Sequence, residues 1–119
     1  MHQQKFCHRD LKLDNIMVEL EPTEEGQTNL VAKVTDFGFT KVIDPIKKER
    51  QSLGTPLYMA PELTKFEKYG IEVDIWALGV MIHNILTGKA PFMANNKAEL
   101  FEKICNQELD YDPFTKFRN

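Results

Sequence analysis

Residues 73–87 (Val-Asp-Ile-Trp-Ala-Leu-Gly-Val-Met-Ile-His-Asn-Ile-Leu-Thr) restrict what this chain can fold into more than any other stretch. Wound as a helix, they place Ile75, Trp76, Leu78, Val80, Met81, Ile82, Ile85 and Leu86 around nearly the whole circumference. A helix apolar on all sides has to be covered by other elements on all sides. Asp74 near its start complements the free N–H groups and the helix dipole, Gly88 stops it, and Pro91 prevents its resumption. The apolar run from Ile75 to Ile82 is far too short to span a bilayer, which takes about 20 residues. The expectation is a globular fold built around a buried central helix.

Shorter elements surround it. Ile16-Met17-Val18 and Leu30 to Val34 are β-prone, and the polar, acidic stretch Glu19 to Asn29 between them reads as a long mobile loop. Phe39 to Gly54 has no strong period, with Lys47-Lys48-Glu49-Arg50-Gln51 as a charged, solvated run. Pro61 to Tyr69 reads as a short helix with Pro in its first turn and Gly70 at its end. Asn96 to Gln107 is amphipathic, with Leu100, Phe101 and Ile104 on one side, and the tail from Asp110 has no clear element. The fold class is α+β, mainly α. With 42% apolar residues in 119, the whole of 1–119 reads as one globular unit without internal repeats.

Net charge is −3, from 15 basic and 18 acidic residues that are interspersed. No basic stripe points to nucleic acid or to an anionic membrane as partner. Cys7 and Cys105 lie far apart and without a metal-ligand pattern, so two free thiols in a reducing compartment are expected. No apolar leader follows Met1. An intracellular setting, cytoplasmic or nuclear, fits these features.

The chemistry sits in His8-Arg9-Asp10-Leu11-Lys12-Leu13-Asp14-Asn15. Within one loop it sets a carboxylate, a lysine and an asparagine. These are the groups to accept a hydroxyl proton, neutralise a moving phosphate and hold a magnesium ion. Asp36-Phe37-Gly38 adds a second potential metal ligand downstream, and Ala60-Pro61-Glu62 follows. Any one of these tripeptides alone is more simply a solvated loop. Together, in the order H-R-D-L-x-x-x-N, D-F-G, A-P-E, they resemble the catalytic region of eukaryotic protein kinases. Gly54 to Glu62, Asp74 to Val80 and Thr87 to Phe92 are similar to further stretches of that family.

The resemblance implies ATP and Mg2+ as cofactors and a Ser/Thr-bearing protein or peptide as substrate. It makes Asp10 the catalytic aspartate and Lys12 the lysine that contacts the transferred phosphate. Asn15 and Asp36 become the magnesium ligands. Thr55 matches the threonine bonded to both Asp10 and Lys12, which with Lys12 marks the serine/threonine type. Met17 falls beneath the adenine, supported by Met81 and Ile85, while His8 and Phe37 match members of a hydrophobic spine. Gly38 belongs with Phe37. Asp74 matches the residue that fixes the catalytic loop through its backbone, with helix capping as an equal reading. Arg9, with Lys41, matches a pair that receives a phosphate added to the activation segment. Gln51 stands where relatives carry the modified hydroxyl, so either the site shifts to Ser52 or no such switch exists.

The same resemblance implies a partial C-terminal lobe over 1–119, broadly similar to the calcium/calmodulin-dependent and related kinases. No G-x-G-x-x-G loop and no V-A-I-K lysine occur in the sequence. The N-terminal lobe that carries them, the last C-lobe helices and the arginine that pairs with Glu62 are expected outside these residues. The chain alone is then expected to leave an apolar patch exposed and to be inactive until joined to the rest of a kinase. The alternative is a non-catalytic binding module, a truncated pseudokinase-like product.

Overall fold

The computed structural model describes residues 2–109, and the expectation for the tail from Asp110 lies outside them. Four strands and three α-helices follow the chain: β1 (Phe6–Cys7), β2 (Ile16–Pro22), β3 (Thr28–Val34), β4 (Lys41–Val42), α1 (Pro61–Thr64), α2 (Glu72–Thr87) and α3 (Lys97–Asn106). Single 3-10 turns at Leu13–Asn15 and Pro56–Tyr58 flank the region of the loop motifs.

β2 and β3 form an antiparallel hairpin in which Ile16 faces Val34, Leu20 faces Leu30 and Pro22 faces Thr28. The strands run further than their apolar cores suggest, and the long loop shrinks to the turn between Pro22 and Thr28. Lys33 explains the extension, because it pairs across the sheet with both Glu19 and Glu21. Thr23 then closes the turn, its N–H reaching Gln27 O at 2.8 Å and its hydroxyl accepting from Gln27 N at 3.1 Å. Pro22 stands at the strand end, where its missing N–H costs the ladder nothing.

β1 and β4 pair antiparallel, Cys7 opposite Lys41. This short ladder brings the segment after Asp36 back beside the start of the His8–Asn15 loop. Beneath it lies a core of Cys7, Ile43, Met59, Ala60, Leu63, Tyr69 and Val73, against which Trp76 and Phe101 pack. A second core joins Tyr58, Ala77, Val80 and Met81 to Leu11, Leu13 and Ile16. Each large aliphatic side chain so buried contributes roughly 1.5–3 kcal/mol. Trp76 bridges the two cores and stacks on Phe92 with ring centroids 6.1 Å apart.

Two expectations are corrected. The helix expected over Pro61 to Tyr69 ends at Thr64, because Phe66 takes a left-handed conformation (φ 56°) and Glu67 N turns back onto Glu62 O. Tyr69 is instead drawn into extended pairing with Glu49. The central helix is buried on one side only. Val73, Asp74, Ala77, Val80, Met81 and His83 face the cores, while Ile75, Leu78, Ile82 and Ile85 are exposed. The exposed apolar patch was the second expectation for this helix, and it is present among the described residues.

Helix α3 follows the sequence closely. Asn96 caps it by accepting from Glu99 N at 2.9 Å, and Glu99 reaches back to Asn95 N at 3.2 Å. His83 packs at the end of α2, its Nδ1 2.9 Å from Lys89 O. No helix of the described residues is long and apolar enough to cross a membrane.

Candidate active site

The His8–Asn15 loop is held from below by Asp74. From the first turn of α2, this carboxylate accepts the backbone N–H of His8 at 2.8 Å and of Arg9 at 3.0 Å. Ile71 occupies the helix cap position, and Asp74 lies in the first turn of the helix. It also lies beside Cys7, whose thiol is pushed up to about 12 by burial and by that neighbouring negative charge. Cys7 and Cys105 are both free.

His8 is fully buried and ties the loop to the segment before Asp36. Its Nδ1 accepts Asp10 N at 3.3 Å, leaving Nε2 as the donor to Thr35 O at 2.9 Å. The ring meets Phe37 edge-on at 5.3 Å. Thr35 N in turn donates to Asn15 O at 2.9 Å, so the stretches that carry Asn15 and Asp36 run side by side.

Asp10, Lys12 and Thr55 converge. Thr55 donates twice to Asp10 Oδ1, from its backbone N at 3.0 Å and its hydroxyl at 2.8 Å. Lys12 Nζ donates to Thr55 Oγ1 at 3.1 Å and lies 3.4 Å from Asp10 Oδ2. Residues from opposite sides of two long loops thus meet at one carboxylate, itself nearly buried. A charge held in so little water has to be paired and hydrogen-bonded, and this one is.

Asn15 is buried, and its Nδ2 donates to Asp10 O at 3.0 Å, which leaves Oδ1 as its unengaged atom. Asp36 is exposed, with Oδ1 near Gly38 N at 3.3 Å. One carboxylate and one amide oxygen are hard oxygen donors, suited to magnesium that shares its remaining positions with phosphate and water. No group of three His, Cys, Asp or Glu side chains that could form an all-protein metal cage occurs among the described residues.

Left-handed backbone occurs here as it does at Lys5, Lys48 and Phe66. Arg9 (φ 68°) and Asp36 (φ 58°) both hold left-handed backbone, at a cost of roughly 1–3 kcal/mol each. Gly54 (φ 112°) passes so close to the loop that a Cβ would lie 2.7 Å from Arg9 O.

Other expected site residues lie apart from this cluster. Met17 and Ile85 are exposed while Met81 is in the second core. Glu62 is half-buried with no ion pair among the described residues. Ser52 donates its hydroxyl to Leu63 O at 3.0 Å. Arg9 and Lys41 do come together, but on Glu49. Sequence reasoning missed Glu49 and Tyr69, although one acid among Lys47, Lys48 and Arg50 was a visible signal.

A protein kinase domain family model matches residues 1–117 of the chain. The chain belongs to the protein kinase family. The bovine (Bos taurus) serine/threonine-protein kinase 33 is 42% identical over 119 residues, covering 93% of this chain and 24% of the relative. A probable myosin light chain kinase of Dictyostelium discoideum is 37% identical over 111 residues, covering 93% and 27%. Arabidopsis thaliana serine/threonine-protein kinase ATG1a is 35% identical over 117 residues, covering 98% and 18%. The chain therefore spans about a quarter or less of the length of these relatives. Two of these relatives are named serine/threonine-protein kinases, and the family generally uses ATP and Mg2+.

Proposed function

We propose that this chain carries the catalytic-loop half of an enzyme that transfers the γ-phosphoryl group of ATP to Ser or Thr hydroxyls of protein substrates. The contact among Asp10, Lys12 and Thr55 supports this best, because it fixes a base and a cation around one point, with both Thr55 hydrogen bonds on Asp10 Oδ1 and Lys12 Nζ 3.4 Å from Oδ2. In this reading Asp10 Oδ2 takes the proton of the attacking hydroxyl as the oxygen–phosphorus bond forms and ADP leaves. Lys12 neutralises charge on the moving phosphoryl group, and Thr55 holds both in register.

Asn15 and Asp36 would hold magnesium, which when bound supplies positive charge to the phosphates. His8, Phe37 and Gly38 keep Asp36 beside the loop, and Met17 with Met81 and Ile85 lines the adenine side. The substrate is a Ser/Thr-bearing protein or peptide.

The sequence contains no Gly-rich phosphate-covering loop and no strand lysine, which supports a requirement for a separate nucleotide-covering lobe. The 119 residues alone are accordingly inactive in this reading, and the exposed face of α2 is where further protein packs. The second reading is a non-catalytic binding module.

The deciding experiment is a phosphoryl-transfer assay on the full-length protein, with whatever sequence its gene places before Met1, using a mixed Ser, Thr and Tyr peptide library. Transfer to Ser and Thr that Asp10→Asn abolishes is the expected result. Binding of peptide without any transfer would favour the module.

A further inference from the structure

The anion that Arg9 and Lys41 are shaped to hold is already in the chain. Glu49 is tied through its backbone, since its N–H reaches Tyr69 O at 2.9 Å and its carbonyl accepts Tyr69 N at 2.8 Å. Its side chain turns toward the loop. Oε1 accepts Arg50 N at 2.7 Å and Gln51 N at 3.2 Å. Oε2 is bonded to Lys41 Nζ and lies 3.9 Å from Arg9 Nη1. Both Arg9 and Glu49 are largely buried here, with side chains 8% and 17% exposed.

The surroundings are built to match. Arg9 Nε donates to Phe39 O at 2.6 Å, and Nη1 reaches Tyr69 OH at 3.4 Å. Tyr69, fully buried, donates its own hydroxyl to Gln51 O at 2.7 Å. A guanidinium in so little water is costly unless an anion faces it, and Glu49 is the carboxylate that does so. Its own ionised form is strongly favoured, because the Lys41 ammonium and the Arg50 and Gln51 N–H groups hold it at about 2.

The geometry extends to the site. Residues 49–55 form a strap whose first residue meets Arg9 and whose last meets Asp10, two consecutive residues of the loop. Ser52, the hydroxyl nearest to this cluster in the sequence, is already engaged by Leu63 O.

We propose that Glu49 is a resident anion, a positioning residue that holds the strap on the catalytic loop and keeps Thr55 on Asp10 without an added phosphate. The proposal rests on the phosphoryl-transfer reading for its consequence in activity, but the clamp itself has a separate readout.

The test uses the full-length protein, its Glu49→Gln form, which keeps the shape, and its Glu49→Ala form, which empties the site. Hydrogen exchange at residues 50–55 is expected to quicken about tenfold or more in both variants, the loss of charge-assisted bonds setting that scale. In Glu49→Ala, sodium acetate should restore protection where sodium chloride at equal ionic strength does not. A variant that merely packs badly would not distinguish the two salts. In activity, kcat should fall about tenfold while KM for ATP stays within about twofold. The wild type should keep its rate after phosphatase treatment.

Exchange unchanged within about twofold in both variants would overturn the clamp. Loss of wild-type activity on dephosphorylation would overturn its independence from phosphate. A wild type that phosphorylates no peptide counts against the phosphoryl-transfer reading alone, and exchange then still decides the clamp.

Discussion

Thr55 gives Asp10 two hydrogen bonds on the same oxygen, the hydroxyl at 2.8 Å and the backbone N–H at 3.0 Å. The backbone bond survives any substitution except proline, but only the hydroxyl also accepts from Lys12 at 3.1 Å. One side-chain oxygen thereby couples a carboxylate to an ammonium that come no closer than 3.4 Å to each other.

Replacing Thr55 by Val keeps the shape and removes that oxygen. A hydrogen bond to a charged group is worth about 1.5–3 kcal/mol, so kcat should fall roughly 10- to 100-fold. Thr55→Ser should retain most of the rate. Steady-state kinetics of the full-length protein on a Ser-containing peptide check both, and a Val variant at wild-type rate would remove Thr55 from the site.

Asp74 holds the loop through the N–H groups of His8 and Arg9. Asp74→Asn points an amide N–H at one of those donors, which leaves a buried donor unsatisfied at about 1–3 kcal/mol. The expected result is a lower thermal midpoint together with a kcat loss of about tenfold or more. Calorimetry paired with kinetics separates the two effects.

How much of this was legible depended on sequence distance. Helix α3 could be read because its apolar residues, Leu100, Phe101 and Ile104, recur at helical spacing within one short segment. The loop motifs could be read because Asp10, Lys12 and Asn15 share one short segment. The hairpin was read too short because Glu19 and Glu21 look like loop residues until Lys33, paired in register with Met17, reaches diagonally to them. Glu49 was read as solvated because the groups that bury it, Arg9, Lys41 and Tyr69, come from three separate segments. The central helix misled in a different way. Its pattern requires cover on all sides, and the described residues supply it on one.

Glu49 also makes a statement about acid. Lys41 first, then the Arg50 and Gln51 amides, lower its carboxyl from the ordinary 4.5 to about 2. A depressed acid stabilises the fold fully above its unfolded value and loses that contribution as pH falls through its folded one. Between pH 4.5 and about 2 the wild type should therefore lose more stability than Glu49→Gln, in which nothing titrates at this position. The gap should narrow at high salt, since part of the site is exposed. Denaturant midpoints at pH 6 and pH 3 check it, and parallel slopes for the two proteins would contradict it.

Gly54 and Gly26 separate backbone strain from close approach. Both hold positive φ, 112° and 76°, so an Ala at either is strained. At Gly26, in the hairpin turn, nothing lies within 4 Å of an added Cβ, and the cost is the conformational one of about 1–2 kcal/mol. At Gly54 the same Cβ would sit 2.7 Å from Arg9 O, a backbone atom that cannot swing aside. Relief would require moving Arg9, whose neighbour is Asp10, or moving Thr55 off that carboxylate. Gly54→Ala should consequently lower kcat by about tenfold or more, whereas Gly26→Ala should lower the melting point a few degrees and leave kcat alone. Equal kcat in the two variants would mean that the approach of Gly54 to the loop does not position Thr55.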